Sequence, residues 1–560
     1  MGKSLDDLTL NIGFFDTGII NVQWTWRNGT GKRTVYKVHD NLVNTTERNT
    51  SYITDTLDKY VDIKDLPFQL VFKTRLTQQY EPVLTLKGFL FAEYLNWINL
   101  VAHAQPSSSD ATFRGIFGLG ERASTDFFMK SGVYSMWAKD IDNPTENGQL
   151  PGKEVYGVHP FYMFKHATNS WIGVYHNNAQ AQDWWVGNDY KSGNVSLSAI
   201  STGGLGDLYF FVSSQNPDAV IAKYFSLVGT PVLTPQWALG WNQCRWCYKS
   251  LEDVKQSAQG YLDNGIPLDT QWVDIDYMQD YKDFTVNEKN ALGQNGAFFN
   301  LSGYVKELHG KNMKFIPIID AGVSARPNEG YPAYDSGVAQ GVFMKNPDGS
   351  LSVGKVWPNE AVYPDFMAPN TDAWWSSQLT SFQQSLPFDG LWQDMNEASN
   401  FCNGLCMKDT ETVTQSVVYK LPYTPTGESL QTKSISLDVV HANNYTELDA
   451  HSTFGALQVR SSSLWFQANK KRPMIISRSS FAGMGKYGSK WLGDNHADVV
   501  DLQESVIGIM KMNMFGITLI GADICGFGGP NTTSDLCARW HQVGGFQPFS
   551  RNHRACWGNP

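Results

Sequence analysis

The sequence predicts an α/β protein: a (β/α)8 TIM barrel over residues 231–560, preceded by an N-terminal antiparallel β-sandwich domain over residues 1–230. Three observations carry this. Up to about residue 230, short apolar or alternating runs stand between clusters of Gly, Asn, Ser and Asp. Beyond it, apolar runs alternate with helix-like stretches. In that second half the charged residues gather at the C-terminal ends of the apolar runs.

In the first part the runs are "LTLNIGFF", "NVQWTW", "PFQLVFKTRL", "SWIGVYHNN", "NVSLSAI" and "DLYFFVSS". Such runs between turn-forming residues read as antiparallel strands packed in a sandwich. The prolines of "GTPVLTPQWALGW" mark a boundary near residue 230. "GLGERA", at 118–123, matches a dinucleotide fingerprint but has no strand–helix–strand unit around it, so it is expected to be a tight turn of the sandwich.

Eight apolar runs follow: "WALGWNQCRW", "PLDTQWVDIDYM", "MKFIPIIDAG", "FDGLWQDMNE", "RPMIISRSS", "SKWLGDN", "ITLIGADICGF" and "GGFQPFSRNH". Stretches such as "SLEDVKQSAQGYLDNG", "GYVKELHGKN", "DAWWSSQLTSFQQSL" and "ADVVDLQESVIGIMKMNMFG" lie between them. Near-continuous apolar strands alternating with helices imply a parallel sheet covered on both faces, and eight units imply a closed barrel. Asp274, Asp276, Asp320, Asp394, Arg478, Asp494, Asp523, Arg551 and His553 stand at or just past the ends of these runs, where such barrels build active sites. Residues 399–455 read as a loop insertion, part of the site wall or a partly flexible lobe. The sequence stops just past the eighth run. An absent eighth helix would leave an apolar strip on strands eight and one, so residues 1–560 are expected to be a fragment or incomplete gene model, poorly soluble and weakly active alone.

A net charge of −10, with Lys470-Lys471-Arg472 as the longest basic cluster, argues against nucleic acid and against an anionic membrane surface. No apolar run approaches the ~18 residues of a spanning helix. "MGKSLDDLTL" places Asp6 and Asp7 where a signal peptide would be apolar. Seven cysteines and seven N-x-S/T sequons nevertheless point to a secretory route, lysosomal, vacuolar or extracellular. N-glycans are expected at several of Asn28, Asn44, Asn49, Asn194, Asn300, Asn444 and Asn531. Cys402 with Cys406, and Cys525 with Cys537, are spaced to close short loops, while Cys244 and Cys247 are expected to stay reduced near Trp246.

Several acids, an arginine, a histidine and nineteen tryptophans suit glycoside hydrolysis, which needs two carboxyl groups flanking the bond. Asp394 and Asp494, on strands four and six, are the candidates; Glu397, three residues past Asp394, braces the site. "DIDYMQD" has the carboxylate spacing of a calcium loop but neither its glycine nor its bidentate glutamate, and "GDNHAD" matches no strong metal spacing. No metal and no cofactor are expected.

"GLGER", "MWAKDIDN", "YGVHPFYM", "CRWCY", "QWVDIDYM", "GKVWP", "DGLWQDMNEASNF", "ISRSSFAG", "WLGDN", "GADICGF" and "PFSRNH" occur in this order. Together they resemble glycoside hydrolase family 31, in particular its α-glucosidases. The resemblance implies that Asp394 is the nucleophile and Asp494 the general acid/base. It implies that Asp274, Arg478, Asp523 and His553, with Arg551 beside them, bind the hydroxyls of a terminal glucose. Trp246, Ile275, Ile318, Trp357, Trp392, Met395, Trp491 and Phe527 would form the walls, and Asp140 would reach over from the sandwich. The sequence departs from the family's habit at Gln393, Leu492, Val499 and Gln547. The activity implied is a retaining, exo-acting α-glucosidase that releases terminal non-reducing α-linked glucose from oligosaccharides or starch-like glucans. An α-xylosidase, a transglucosylase, an α-glucan lyase or a catalytically weak glycan-binding homologue would use the same residues.

Overall fold

The computed structural model describes residues 8–557, apart from 15–18, 27–37, 39, 44–60, 66–67, 76–79, 93–94, 104–115, 142–151, 167–169, 189–193, 205, 214–215, 327–328, 407–420 and 530. Asn28, Asn44 and Asn49 therefore lie outside the described residues.

The N-terminal part is two antiparallel sheets face to face. One runs Leu8–Phe14, Ile19–Trp26, Asp207–Ser213, Trp171–His176 and Lys153–Lys165, with Ile116–Ala123 also paired to the last. The other runs Val61–Asp65, Phe68–Arg75, Tyr80–Ala92, Leu95–His103, Asn194–Ser201, Gln182–Asn188 and Gly132–Met136. Inward side chains meet between them: Phe72 stacks on Phe210 at 4.6 Å and Tyr162 meets Trp184 edge-on at 5.6 Å. Lys153–Lys165 is buried along nearly its whole length and shows no alternation. The helix Pro217–Val228 covers part of its outer face, with Tyr224 stacked on Phe161 at 4.1 Å.

The expected turn at "GLGERA" is corrected here. These residues belong to the strand Ile116–Ala123, which pairs with Lys153–Lys165 through two register shifts. Gly118 sits at φ 128, and a Cβ there would lie 2.2 Å from the Phe161 carbonyl. The glycine serves close approach of two strands within a bulge rather than a turn.

The barrel strands are β1 (Trp241–Gln243), β2 (Thr270–Val273), β3 (Lys314–Asp320), β4 (Leu391–Asp394), β5 (Ile475–Ser477), β6 (Ser489–Trp491), β7 (Ile520–Gly521 and, past Ala522, Asp523–Ile524) and β8 (Ser550–Asn552). All neighbours pair in parallel, and β8 pairs with both β1 and the second piece of β7, so the sheet closes. Helices α1 (Leu251–Asp263), α2 (Leu301–Gly310), α3 (Thr371–Ser385), α4 (Phe454–Ala468), α5 (Val499–Met514) and α6 (Ser534–Gly544) surround it. Sequence chemistry sets their starts. Ser250 and Asp253 form a reciprocal capping box on α1, and Asp498 caps α5 through the Asp501 N–H. Between β5 and β6 no α-helix intervenes. Ser480–Phe481 there joins the edge of the N-terminal sheet, pairing in parallel with Gly157 and Val158.

Described residues of the insertion pack against the N-terminal part. Trp137, Ala181, Leu430, Leu437 and Leu448 form one apolar cluster across the two domains, and Gln180 donates to Asp449 at 2.7 Å.

Candidate active site

Asp394 ends β4 in register with Asp320 of β3. The chain then turns sharply, with Met395 at φ 55, a left-handed conformation that an unbranched side chain adopts only under local constraint. Asn396 supplies the constraint. Buried completely, it donates to Gln458 (3.0 Å) and Ser477 (2.8 Å) and accepts the Ser479 N–H (2.8 Å). Asp394 and Met395 are thereby both delivered to one pocket.

That pocket encloses about 430 Å³ at the C-terminal mouth of the barrel. Asp140, Trp246, Asp274, Ile275, Trp357, Trp392, Asp394, Met395, Arg478, Asp494, Phe527 and His553 line it, so the fold brings together twelve of the residues singled out from sequence. Phe401, Lys433, Gly528, Gly529 and Trp557 also line it, without having been assigned a role, as does His496 of "GDNHAD". The aromatic residues form a continuous rim: Trp246 stands edge-on to Trp357 (5.4 Å) and Trp557 (5.3 Å) and parallel to Phe527 (6.1 Å).

Glu397, Ile318, Trp491, Asp523 and Arg551 lie behind this surface instead. Glu397 grips Arg478 from below, at 2.7 Å to Nη2 and 3.1 Å to Nε. Ile318 is buried beside Trp392, its carbonyl accepting from Tyr277. Arg551 and Asp523 are fully buried and paired at 2.7 Å. The Arg551 guanidinium lies against the rings of Trp392 (4.4 Å), Trp272 (4.9 Å) and Trp491 (5.3 Å). The charged ends of β7 and β8 thus neutralise one another beneath the pocket floor and hold the underside of Trp392, rather than reaching the pocket surface as the sequence suggested. Gln393, a polar residue at a core position, donates from its amide nitrogen to Ser462 Oγ at 2.5 Å, and Gln547 accepts the Ala522 N–H at 3.1 Å.

Asp494 follows β6 by way of Gly493 at φ 83. A Cβ on Gly493 would lie 2.0 Å from the ring of Tyr156, so only glycine lets that ring close over the turn. The Tyr156 hydroxyl accepts the Asp494 N–H (3.1 Å) and donates to the Ile141 carbonyl (2.7 Å), while the Arg478 guanidinium lies over the ring at 5.1 Å. Asn495 ties this turn to β7, exchanging hydrogen bonds of 3.0 and 2.9 Å with the Asp523 backbone.

One guanidinium organises the charges. Arg478 Nε is 3.1 Å from Asp394, and Nη2 is 3.6 Å from Asp140. Burial raises the pKa of Asp394, and Arg478 opposes the rise. Asp494 is held well above the carboxylate range, first by burial and then by the charges of Asp394, Asp523 and Asp140, again against Arg478. Burial and then Asp276 keep Asp274 well above its usual value, while burial and then Arg551 push His553 well below the usual imidazole range. Both shifts favour the neutral forms across the 3.4 Å contact between these two groups. The arrangement offers one carboxylate paired with a cation, one carboxyl biased to carry its proton, and a polar edge beneath an aromatic rim.

Three disulfides brace the mouth. Cys402–Cys406 and Cys525–Cys537 pair as expected, with Cα separations of 5.6 and 4.6 Å. Cys244 is a buried free thiol. The expectation that Cys247 stays reduced is overturned, because it is bridged to Cys556 with a Cα separation of 5.2 Å. Barrel closure explains it: Gln243 of β1 pairs in parallel with Asn552 of β8, and each cysteine lies four residues past its paired partner. Asn300, Asn444 and Asn531 are exposed.

The profile of the "Glycosyl hydrolases family 31 TIM-barrel domain" matches residues 231–559, and that of the "Glycosyl hydrolase 31 N-terminal galactose mutarotase-like domain" matches residues 9–184. The chain is 35% identical over 443 residues to an alpha-glucosidase of Hordeum vulgare, covering 79% of this chain and 48% of that protein. It is 34% identical over 498 residues to the lysosomal alpha-glucosidase of Rattus norvegicus, covering 88% and 49%. The chain thus spans about half the length of the curated relatives it matches. A crystal structure of glucosidase II alpha subunit superposes with a TM-score of 0.81 over 99% of this chain and 63% of that one, at 21% identity, a likeness of fold. On the barrel profile alone, which takes in more than half of its residues, the chain belongs to glycosyl hydrolase family 31.

Proposed function

We propose that this site is that of a retaining, exo-acting α-glucosidase acting on α-linked oligosaccharides or glucans. The observation that carries the reading is the unequal pair of acids: Asp394 held against the Arg478 cation, Asp494 held where its proton is retained. Asp394 attacks the anomeric carbon while Asp494 gives its proton to the departing oxygen. Asp494, now a carboxylate, then takes a proton from water as that water displaces Asp394. A floor sealed by Trp392 and the Arg551 layer suits a terminal sugar rather than a chain passing through. Asp274, His553 and Arg478 offer polar groups to its hydroxyls, and Phe527, Trp246 and Trp357 offer apolar faces.

Three disulfides and exposed sequons at Asn300, Asn444 and Asn531 suit an oxidising, secretory setting with N-glycans at those sites. The lysosomal name of one relative fits the same setting.

The test is substitution with chemical rescue. Asp394→Ala and Asp494→Ala each lower kcat for maltose by several orders of magnitude, and azide restores part of the rate, giving a glycosyl azide whose anomeric configuration identifies the lost role. Near-normal turnover by Asp394→Ala, or net inversion by the unmutated protein, overturns the assignment. Faster release of xylose than glucose from matched substrates moves the reading to an α-xylosidase.

A further inference from the structure

Four ionisable side chains outside the pocket form a continuous buried chain. None of Asp365, His441, Glu447 and His451 is more than 3% exposed. Asp365 Oδ1 lies 2.9 Å from His441 Nδ1, and its Oδ2 accepts the Ala442 N–H at 2.6 Å. His441 Nε2 lies 3.0 Å from Glu447 Oε2, and Glu447 Oε1 lies 2.7 Å from His451 Nδ1. The last link leaves the barrel side altogether. His451 Nε2 lies 2.7 Å from the Ala138 carbonyl, which only accepts, so that nitrogen is the donor. The His451 ring also stacks on Trp137 at 4.1 Å, and the Trp137 indole donates to the Leu430 carbonyl at 3.0 Å.

Ala138 stands two residues before Asp140, the sandwich residue that enters the pocket. Asp140 Oδ2 accepts from Ser399 (2.7 Å), and Oδ1 faces Arg478 (3.6 Å). Burying a run of charges costs several kcal/mol per ion, and a well-packed apolar run of similar volume stabilises a protein equally well or better. Its distinctive effect is geometric. Each link has a fixed length and direction, and together they tie the segment after β3 through the insertion to a segment of the other domain.

We propose that the chain Asp365–His441–Glu447–His451 is a positioning device for the sugar pocket: it fixes the Ala138 carbonyl and so holds the Asp140 carboxylate over the bound terminal sugar. The statement rests on the glucosidase reading. His451 and Glu447 are positioning residues; they touch neither substrate nor the reacting atoms.

The experiment is a double-mutant cycle on the full chain, with maltose and a nitrophenyl α-glucoside as substrates. His451→Ala raises KM about tenfold and changes kcat less than about threefold, and Asp140→Asn gives the same pattern. The double variant is no worse than the poorer single one, because both remove the same grip. His451→Gln, whose amide N–H still reaches the Ala138 carbonyl, recovers most of the loss. Independent, multiplying losses overturn the proposal, as does an unchanged KM in His451→Ala. Should His451→Ala fail to fold, Glu447→Gln carries the test through hydrogen exchange: amides of residues 137–141 exchange at least about tenfold faster while those of β3 and β4 do not. Equal exchange in that segment overturns the proposal. Inactivity of the unmutated chain on every α-glucoside would bear on the functional reading and not on the device, which the exchange measurement would still decide.

Discussion

At the scale of single residues, the two central acids differ through their neighbours rather than their own chemistry. Both are taken out of water, which favours their neutral forms. Asp394 ends in contact with the Arg478 guanidinium, whereas Asp494 faces the negative field of Asp394, Asp523 and Asp140. In the proposed mechanism the active form has Asp394 ionised and Asp494 protonated. Activity therefore rises as pH climbs through the pKa of Asp394 and falls as it passes that of Asp494, giving a bell-shaped profile. The pH dependence of kcat/KM measures this, and a rate still climbing at about pH 8 removes Asp494 from the acid role. Arg478 lowers both pKa values, so weakening it moves both limbs upward. Arg478→Lys loses the fork to Glu397 and misplaces Asp394. We expect a loss of about a hundredfold in kcat/KM with the acid limb displaced to higher pH. An unmoved acid limb would show that the guanidinium does not set the charge of Asp394.

At the scale of elements, the Cys247–Cys556 bridge fastens the end of β1 to the end of β8, beside Trp246 and Trp557 of the pocket rim. It joins residues 309 apart, so it excludes many unfolded conformations. Cys556→Ser should lower unfolding free energy by up to about 5 kcal/mol, read from a denaturant midpoint. Peptide mapping without reduction should yield a cross-linked Cys247–Cys556 peptide, with Cys244 alkylated only after unfolding; a freely alkylated Cys247 in the native protein refutes the pairing. This bridge was hidden in the sequence because it depends on which strands become neighbours when the barrel closes, while the two short-loop pairs needed only local spacing. The eight barrel strands were legible because they are recurring apolar runs and, from the second on, each is closed or followed by a charge. The direction of that charge was not legible: Asp394 and Asp523 occupy similar positions, yet one lines the pocket and the other is paired with Arg551 behind it. Lys153–Lys165, which contains the quoted motif "YGVHPFYM", was not read as a strand because a strand covered on both faces has no alternation. Tyr156, on that strand, reaches Asp494 across 338 positions of sequence.

At the scale of the whole molecule, the buried ionisable groups act together on stability. The carboxylates of Asp365 and Glu447 raise the His441 pKa to about 10 against the effect of burial. Its contribution is complete below the ordinary imidazole value of about 6.5 and is lost as pH rises towards 10. The Glu447 pKa is brought down to about 2, against burial, by hydrogen bonds from His441 and His451. That contribution is complete above the ordinary value of about 4.5 and is lost as pH falls towards 2. The His441–Glu447 contact enters both shifts, so the contributions overlap and amount to a few kcal/mol rather than their sum. Asp274, Asp320 and Asp494, with pKa values pushed well up by burial, add a slope of one sign: they bind protons more readily folded than unfolded, so they favour the native state as pH falls. The His441 and Glu447 effects place maximum stability between about pH 4.5 and 6.5. Thermal unfolding should therefore show a higher Tm at about pH 5.5 than at about pH 8.5, and Glu447→Gln should reduce that difference by removing part of the field that holds the His441 proton. A Tm that rises steadily through neutrality, or a pH dependence untouched by Glu447→Gln, would mean that the buried chain is not linked to folding as its geometry requires. The same protonation that readies the acid would then have no counterpart in the scaffold that holds it.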